Sequence, residues 1–359
     1  ANGLLLADID RRLASGEEVS PDKPARKVSF QMGVSGLSEQ EGIDLASLDP
    51  QATVAKLPGV LKVHELIGMG SFSYVFSCTV EDSPQECGDQ QGHPEEATEP
   101  PKPEARKRRP CLSLARKMVA VKLLKGTSLE NNREAQLLTE LRHPSLVGLL
   151  RIVKGPPHAM FLEHCAGGLL HELVHKSDSW WGSLALRSRL RPGLDVTRAV
   201  EYLHGQDVVH RDVKTANCFL EVPAQLSSAQ EPPHVKLGDL GLARPAADTM
   251  TRGIGTVCCM APEVIKSGHY GTPADVFSSA ILLHELATGN EPYKEADSNL
   301  SKLAVLIVQG KRPPLECLPE CPERHMYCQI LEEAWCDDPA LRLPASELVA
   351  RLGSLLDGA

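Results

Sequence analysis

Aromatic side chains are scarce. Phe, Trp and Tyr make up 4% of the 359 residues, against 27 Pro and 28 Gly, a balance that points to substantial loop or disordered chain. An excess of positive charge is also missing. The formal net charge is −9, which gives no general pull toward nucleic acid or an acidic membrane. No uninterrupted apolar run approaches the ~18–20 residues of a membrane span. The opening Ala1-Asn2-Gly3-Leu4-Leu5-Leu6-Ala7 has no basic region and soon meets Asp8 and Asp10, so it does not read as a secretory signal. Ala stands first where an initiator Met would, the expectation for a fragment or a processed form. The eleven cysteines are odd in number and irregular in spacing. Without a signal they read as reduced thiols in a cytoplasmic protein. Cys317, Cys321, Cys328 and Cys336 surround His325, but their spacing lacks the close pairing of a zinc site and they read as ordinary thiols.

What is present is 42% hydrophobic, enough for one large or two ordinary domains. Residues 1–57 read as a mostly flexible polar leader, with a short docked helix over 4–13 as its one structured option. Strand pattern starts at Val60 and returns over 74–80, with Gly68-Met69-Gly70-Ser71-Phe72-Ser73 as a glycine-bearing hairpin turn. Residues 81–116 lack periodicity and read as a disordered insertion that carries the basic run Arg106-Lys107-Arg108-Arg109. Met118-Val119-Ala120-Val121-Lys122-Leu123-Leu124 is strand-like, 130–141 helical, and 146–153 with 159–164 a further strand pair. From Leu169 the pattern is mainly helical. Residues 275–287 are apolar nearly all round, which predicts a fully buried helix stopped by Gly289. Strands first and helices second predict an α+β protein of two lobes, divided at 58–165 and 166–357, with a Pro/Gln/Ser-rich insertion at 222–233 in the second.

Two charges are out of place. Glu134 lies on the apolar face of the first long helix, and Lys122 lies inside an apolar strand. A buried charge is expensive unless paired, so the two suggest one partnership; the alternative is that both snorkel to solvent. They have company. His210-Arg211-Asp212-Val213-Lys214-Thr215-Ala216-Asn217 and Asp239-Leu240-Gly241 join Val119-Ala120-Val121-Lys122 and the glycine turn, in the order of the protein-kinase signature set. Met260-Ala261-Pro262-Glu263, Asp275-Val276-Phe277-Ser278 and Trp335 with Asp338, Pro339 and Arg342 add later landmarks. From Val60 to Leu356 the chain resembles a eukaryotic-type protein kinase, and Gly255-Thr256-Val257-Cys258-Cys259 resembles the tyrosine-kinase-like group of serine/threonine kinases, of mixed-lineage and Raf type.

The resemblance implies a bilobal fold: a small antiparallel sheet with one main helix, a larger helical lobe, and ATP with Mg²⁺ in the cleft between them. Such an enzyme positions groups and neutralises charge. It implies that Gly68, Gly70, Ser71 and Ser73 cover the phosphates, and that Lys122, held by Glu134, grips them. Ile67, Val75, Ala120 and Leu162 would sandwich adenine, with backbone groups of Glu163 and Cys165 bonding it. Asp212 would take the proton of a protein hydroxyl, Lys214 would bridge to the moving phosphate, and Asn217 and Asp239 would supply oxygen ligands for Mg²⁺. Thr256 would bond the Asp212–Lys214 pair. Arg211 would receive a phosphate on Thr249 or, preferentially, Thr251, and so order the activation loop. Ser73 replaces the third glycine, Leu240 the usual Phe and Phe277 the usual Trp, and Pro192 should start or kink the helix before the catalytic loop. The predicted activity is a serine/threonine protein kinase; the alternative is a pseudokinase scaffold that binds nucleotide and partners without useful turnover. Arg26-Lys27-Val28-Ser29-Phe30 resembles a phosphatase-docking peptide through Val28 and Phe30. The basic run at 106–109 admits nuclear import, although a solvated run is the plainer reading. Adjacent Cys258 and Cys259 are read as inert thiols rather than a redox pair.

Overall fold

The structure, a computed structural model, describes residues 49–69, 73–81, 116–125, 133–155, 157–176, 180–224, 227, 231–245, 256–294 and 299–358. It divides into two units, one from the described residues of 43–126 and 151–162, the other from those of 127–150 and 163–359.

The first unit is a sheet covered on one face by a short helix. Helix α1 (Pro50–Ala55) starts where Asp49 accepts a hydrogen bond from the Gln51 backbone and Pro50 occupies the first turn, the two residue types best suited to a helix start. Strands β1 (Val60–Met69), β2 (Ser73–Glu81), β3 (Arg116–Leu124), β4 (Leu149–Val153) and β5 (Ala159–Glu163) follow, in spatial order β1-β2-β3-β5-β4. The unit boundary falls within β4 and before the last residue of β5. The β1–β2 and β2–β3 pairs are antiparallel. Side chains alternate between faces along a strand. Phe76, Cys78, Val119, Val121, Leu123, Ala159 and Phe161 form an apolar face, and Val54 and Leu57 pack onto it.

That packing moves the end of the segment read as a mostly flexible leader, 1–57, back to residue 48 at the latest; residues 1–48 lie outside the described residues. Residues 49–57 are folded, with Val54 fully buried and Leu57 6% exposed, because the sheet's apolar face needs a cover. Likewise Glu81 and Arg116, taken as the edges of the insertion, are strand residues paired with each other. The helix over 4–13, the docking peptide with Val28 and Phe30, the run 106–109, Gly70, Ser71, Thr249 and Thr251 lie outside the described residues.

The second unit is mainly helical: α2 (Arg133–Glu140), α3 (Leu170–Lys176), α4 (Trp180–Ser183), α5 (Leu186–Gly205), α6 (Pro262–Ser267), α7 (Thr272–Thr288), α8 (Leu300–Val308), α9 (Arg324–Ala334) and α10 (Ala345–Asp357). Two small ladders, β6 (Val208–Val209) with β9 (Arg244–Pro245) and β7 (Cys218–Leu220) with β8 (Val235–Leu237), carry the loops between α5 and α6. Helix α7 is buried at every position from Ala274 to Ala287 and ends at Gly289 in the left-handed conformation, as its apolar composition predicts. Pro192 does not start α5. The helix begins at Leu186 and runs through it, because burial of Leu186, Leu190 and Leu194, spaced i, i+4, i+8, offsets the missing backbone donor. Gly193 lets α7 come close, since a Cβ there would stand 2.4 Å from the Leu283 side chain. Among the described residues no helix is long and apolar enough to cross a membrane.

If Val54 is core, Val54→Ala should lower the stability of the chain by about 2 kcal/mol, for two buried carbons and the cavity they leave. The midpoint of urea unfolding measures it. An unchanged midpoint would return α1 to the leader.

Candidate active site

The catalytic loop follows β6, and its backbone is set by one carboxylate. Arg211 has φ 74°, a conformation uncommon outside glycine. It is held there because Asp275, 1% exposed at the start of α7, accepts the backbone N–H of His210 at 2.8 Å on Oδ2 and that of Arg211 at 2.9 Å on Oδ1. His204 Nε2 lies 3.0 Å from the same Oδ2. Burial pushes the Asp275 carboxyl up, but the His204 hydrogen bond, the neighbouring histidines and the Arg211 N–H outweigh it and hold the group below the usual carboxylate range. The Arg211 guanidinium lies 5.1 Å from the centre of the Tyr270 ring.

Four sequence-predicted residues then meet. Lys214 Nζ donates to Asp212 Oδ2 and to Thr256 Oγ1, each at 2.7 Å. Asn217 Nδ2 donates to Asp212 Oδ2 at 2.9 Å and to the Asp212 carbonyl at 2.8 Å. The Thr256 N–H and hydroxyl face Asp212 Oδ1 at 3.3 Å each. Oδ2 is therefore closely bonded, while Oδ1 has only long contacts. Asp239 comes alongside because β7 and β8 are antiparallel. Cys218 pairs with Leu237, and Gly238 N–H donates to the Asn217 carbonyl at 2.9 Å. Asn217 and Asp239 thus flank the same end of one hairpin, and the insertion at 222–233 is the loop at its other end. Both amide protons of Asn217 are turned to Asp212, which presents its oxygen elsewhere. A carboxylate and an amide oxygen are donors that suit Mg²⁺. Glu134, 7% exposed, comes from α2, which packs on the turn after Asp239: its Oε2 would stand 3.8 Å from a Cβ on Gly241.

In the sheet unit, Gly68 pairs with Val75 and Val75 with Lys122, so the three form one row across β1, β2 and β3. Ala120, two residues from Lys122, shares its face. On β5, Phe161 belongs to the covered apolar face, so alternation puts Leu162 on the other one. Ile67 is the extra residue of a bulge between the Leu66–Phe76 and Gly68–Val75 pairs, and Ser73 begins β2. Gly68, Val75, Ala120, Lys122 and Leu162 thus share the sheet face that α1 does not cover. In the helical unit, the Glu163 N–H is taken by the Gly148 carbonyl at 2.8 Å, and burial pushes the Cys165 thiol up to about 12.

Sequence reasoning missed two structural supports of this site. Asp275 was only a landmark, and so were Glu263 and Arg342. Those two form a two-pronged pair at 2.7 Å on both prongs, with the Arg342 side chain fully buried. Cys258 and Cys259 stand with sulfurs 3.7 Å apart, and their hydrogen bond holds Cys258 below and Cys259 above the usual thiol value. Cys317, Cys321, Cys328, Cys336 and His325 form no converging ligand group among the described residues.

The family model for protein tyrosine and serine/threonine kinases matches residues 104–352, more than half of the chain. The chain belongs to the protein kinase family. It is of eukaryotic type and tyrosine-kinase-like. It is 35% identical over 252 residues to the serine/threonine-protein kinase STY17 of Arabidopsis thaliana, covering 66% of this chain and 40% of that protein. It is 32% identical over 245 residues to STY46 of the same plant, covering 65% and 39%. It is 32% identical over 226 residues to the serine/threonine/tyrosine-protein kinase HT1, also of Arabidopsis, covering 61% and 53%. The chain thus spans about two fifths of the length of STY17 and STY46. The matched segment begins after β2, yet β2 is hydrogen-bonded to β3 along its whole length, which ties it to the same sheet.

The depressed Asp275 pKa fixes a pH dependence. The stabilisation it contributes is full above the unfolded value near 3.9 and is lost as pH falls below that, through the lower folded value. Asp275→Asn offers one oxygen where two backbone N–H groups need two. We expect it to lose roughly 2–4 kcal/mol at pH 7 and to show a weaker stability loss than wild type between about pH 4 and pH 3. Denaturant unfolding at several pH values reads both. Equal slopes in that window would contradict the assignment.

Proposed function

We propose that this chain is an ATP- and Mg²⁺-dependent protein kinase that transfers a phosphoryl group to a Ser or Thr hydroxyl of a protein. The observation that carries the reading is the convergence of Lys214, Asn217 and Thr256 on the two carboxylate oxygens of Asp212. With Oδ2 occupied by Lys214 and Asn217, Oδ1 is the oxygen with spare capacity, and it accepts the hydroxyl proton as the substrate oxygen attacks. Lys214, already on Asp212, supplies positive charge beside the moving phosphoryl group. Such transfer is catalysed almost wholly by positioning and charge neutralisation. Asn217 and Asp239 would hold Mg²⁺, which would neutralise phosphate charge.

The nucleotide residues follow the same logic. Ile67, Val75, Ala120 and Leu162 give adenine an apolar bed, and Lys122 meets the phosphates. Gly68, Gly70, Ser71 and Ser73 let the backbone approach, since large side chains there would hold phosphate away. The Glu163 carbonyl and the Cys165 backbone bond the base; the Glu163 N–H is already engaged. Phosphate on Thr251, or on Thr249, then pairs with Arg211 and orders the loop that carries it.

The test is transfer of label from ATP to a generic protein, with phosphoamino-acid analysis. Asp212→Asn should lower kcat by roughly 10²- to 10⁴-fold while nucleotide binding persists, and Thr256→Ala should lower it less. Wild-type turnover no greater than that of Asp212→Asn would leave the scaffold reading instead. Phosphotyrosine as the main product would overturn the Ser/Thr assignment, an outcome that the likeness to the serine/threonine/tyrosine-protein kinase HT1 keeps in view. Thr251→Ala should reduce turnover after preincubation with ATP, and unchanged turnover would remove the loop switch.

A further inference from the structure

A second cluster lies beside the catalytic loop and is used by none of the chemistry above. His171 and His175 stand one helical turn apart on α3, in the run His171-Glu172-Leu173-Val174-His175. That run has the H-E-x-x-H spacing, which puts two imidazoles on one face of a helix. Glu285 comes from α7 to meet them. The three ligand atoms lie within 4.8 Å of one another. Glu285 Oε1 is 2.7 Å from His175 Nε2 and 3.4 Å from His171 Nδ1. Neighbouring ligand atoms of a tetrahedral zinc ion stand roughly 3.3 Å apart, from Zn–N and Zn–O distances near 2.0–2.1 Å. The two observed separations bracket that figure.

Hydrogen bonding alone is a poor account of this arrangement. Thr215 Oγ1 also donates to Glu285 Oε1, at 2.7 Å, so three groups crowd one oxygen that has two lone pairs. His171 Nδ1 is left with two long contacts, 3.3 Å to Thr215 Oγ1 and 3.4 Å to Glu285. An ion accepting one lone pair from each ring and one from the carboxylate would relieve the crowding, and the Thr215 hydroxyl would remain to orient the carboxylate. Access comes through His171, whose side chain is 37% exposed, while His175 and Glu285 are 14% and 4% exposed.

The geometry points to a zinc site formed by His171, His175 and Glu285, adjoining the catalytic loop through Thr215. Two imidazoles and one carboxylate make a three-ligand zinc set with a fourth position for water. Mg²⁺ takes all-oxygen surroundings, so the cluster discriminates against the ion expected at Asn217 and Asp239. Glu172 is turned to Lys176, with 2.7 Å between them, and is half exposed. The site is therefore assigned metal binding and no hydrolytic step of its own. It stands whether or not the chain transfers phosphate.

The test is titration of the full chain with Zn²⁺ against a chromophoric chelator, in excess Mg²⁺ and with a reducing agent that does not bind metal. We expect a tight site that Mg²⁺ does not displace and that His171→Ala and His175→Gln each weaken by more than about tenfold. Cobalt bound in place of zinc should give visible bands of a four-coordinate nitrogen and oxygen site, without the near-ultraviolet absorption of a thiolate ligand. His171→Cys, which restores a ligand, should bind tightly again and gain that absorption, which separates lost ligation from lost folding. Wild-type affinity in both histidine variants, or a thiolate signature in the wild-type cobalt complex, would overturn the assignment and pass the metal to the cysteines.

Discussion

The buried carboxylate of Asp275 is the constraint on which the catalytic loop depends. A left-handed Arg211 is unfavourable by itself, and two adjacent backbone N–H groups pointing into an apolar interior would be worse. Asp275 answers both, one oxygen to each N–H. From that fixed point the chain emerges with Asp212 directed toward Lys214, Asn217 and Thr256. The β7–β8 pairing then brings Asp239 to the Asn217 end of the same hairpin. The chemistry rests on side chains, but their convergence rests on backbone hydrogen bonds that a single acid supports.

Much of this was readable before any coordinates, and the reasons differ from element to element. Strands β2 and β3 declare themselves as short β-branched and apolar runs, with Phe76, Ser77 and Cys78 and then Val119, Ala120 and Val121 buried in succession. Helix α7 declares itself because all its faces are buried and Gly289 closes it. The short α1 was missed because six residues carry too little periodicity, although Asp49-Pro50 is a start signal and Val54 and Leu57 a matching apolar pair. Pro192 was expected to start or kink α5, and the helix starts earlier, at Leu186, because burial along it offsets the missing donor. In the active site, residue types in a fixed order were enough to nominate Asp212, Lys214, Asn217 and Asp239. What order could not supply was partnership. Glu263 and Arg342 were both noticed, yet nothing in a linear chain pairs residues 79 apart. The same holds for His175 and Glu285, 110 apart. The H-E-x-x-H run was passed over in the sequence, and nothing along the chain points from it to Glu285.

The family match reaches back only to residue 104, so the chain's first two strands must be placed by physics rather than by likeness. Nine consecutive residue pairs join β2 to β3, from Ser73–Leu124 to Glu81–Arg116. A register shift of one residue would turn Phe76 and Cys78 out of the core and Val75 into it. The segment 82–115 therefore enters the sheet unit at a strand pair and leaves it at the same pair.

Helix α7 poses the last question, since a helix buried on every side carries two acids. A buried carboxylate is tolerable only where hydrogen bonds replace water. Asp275 finds them in the backbone of His210 and Arg211, and Glu285 finds them in Thr215 and His175. Both acids therefore act on the catalytic loop, one before Asp212 and one after Lys214. The loop is short, and it is clamped at both ends by one rigid element. A change at Glu285 has a direct path through Thr215 to the turn that carries Asn217. The acids that look misplaced in an apolar helix are thus the means by which that helix positions the loop.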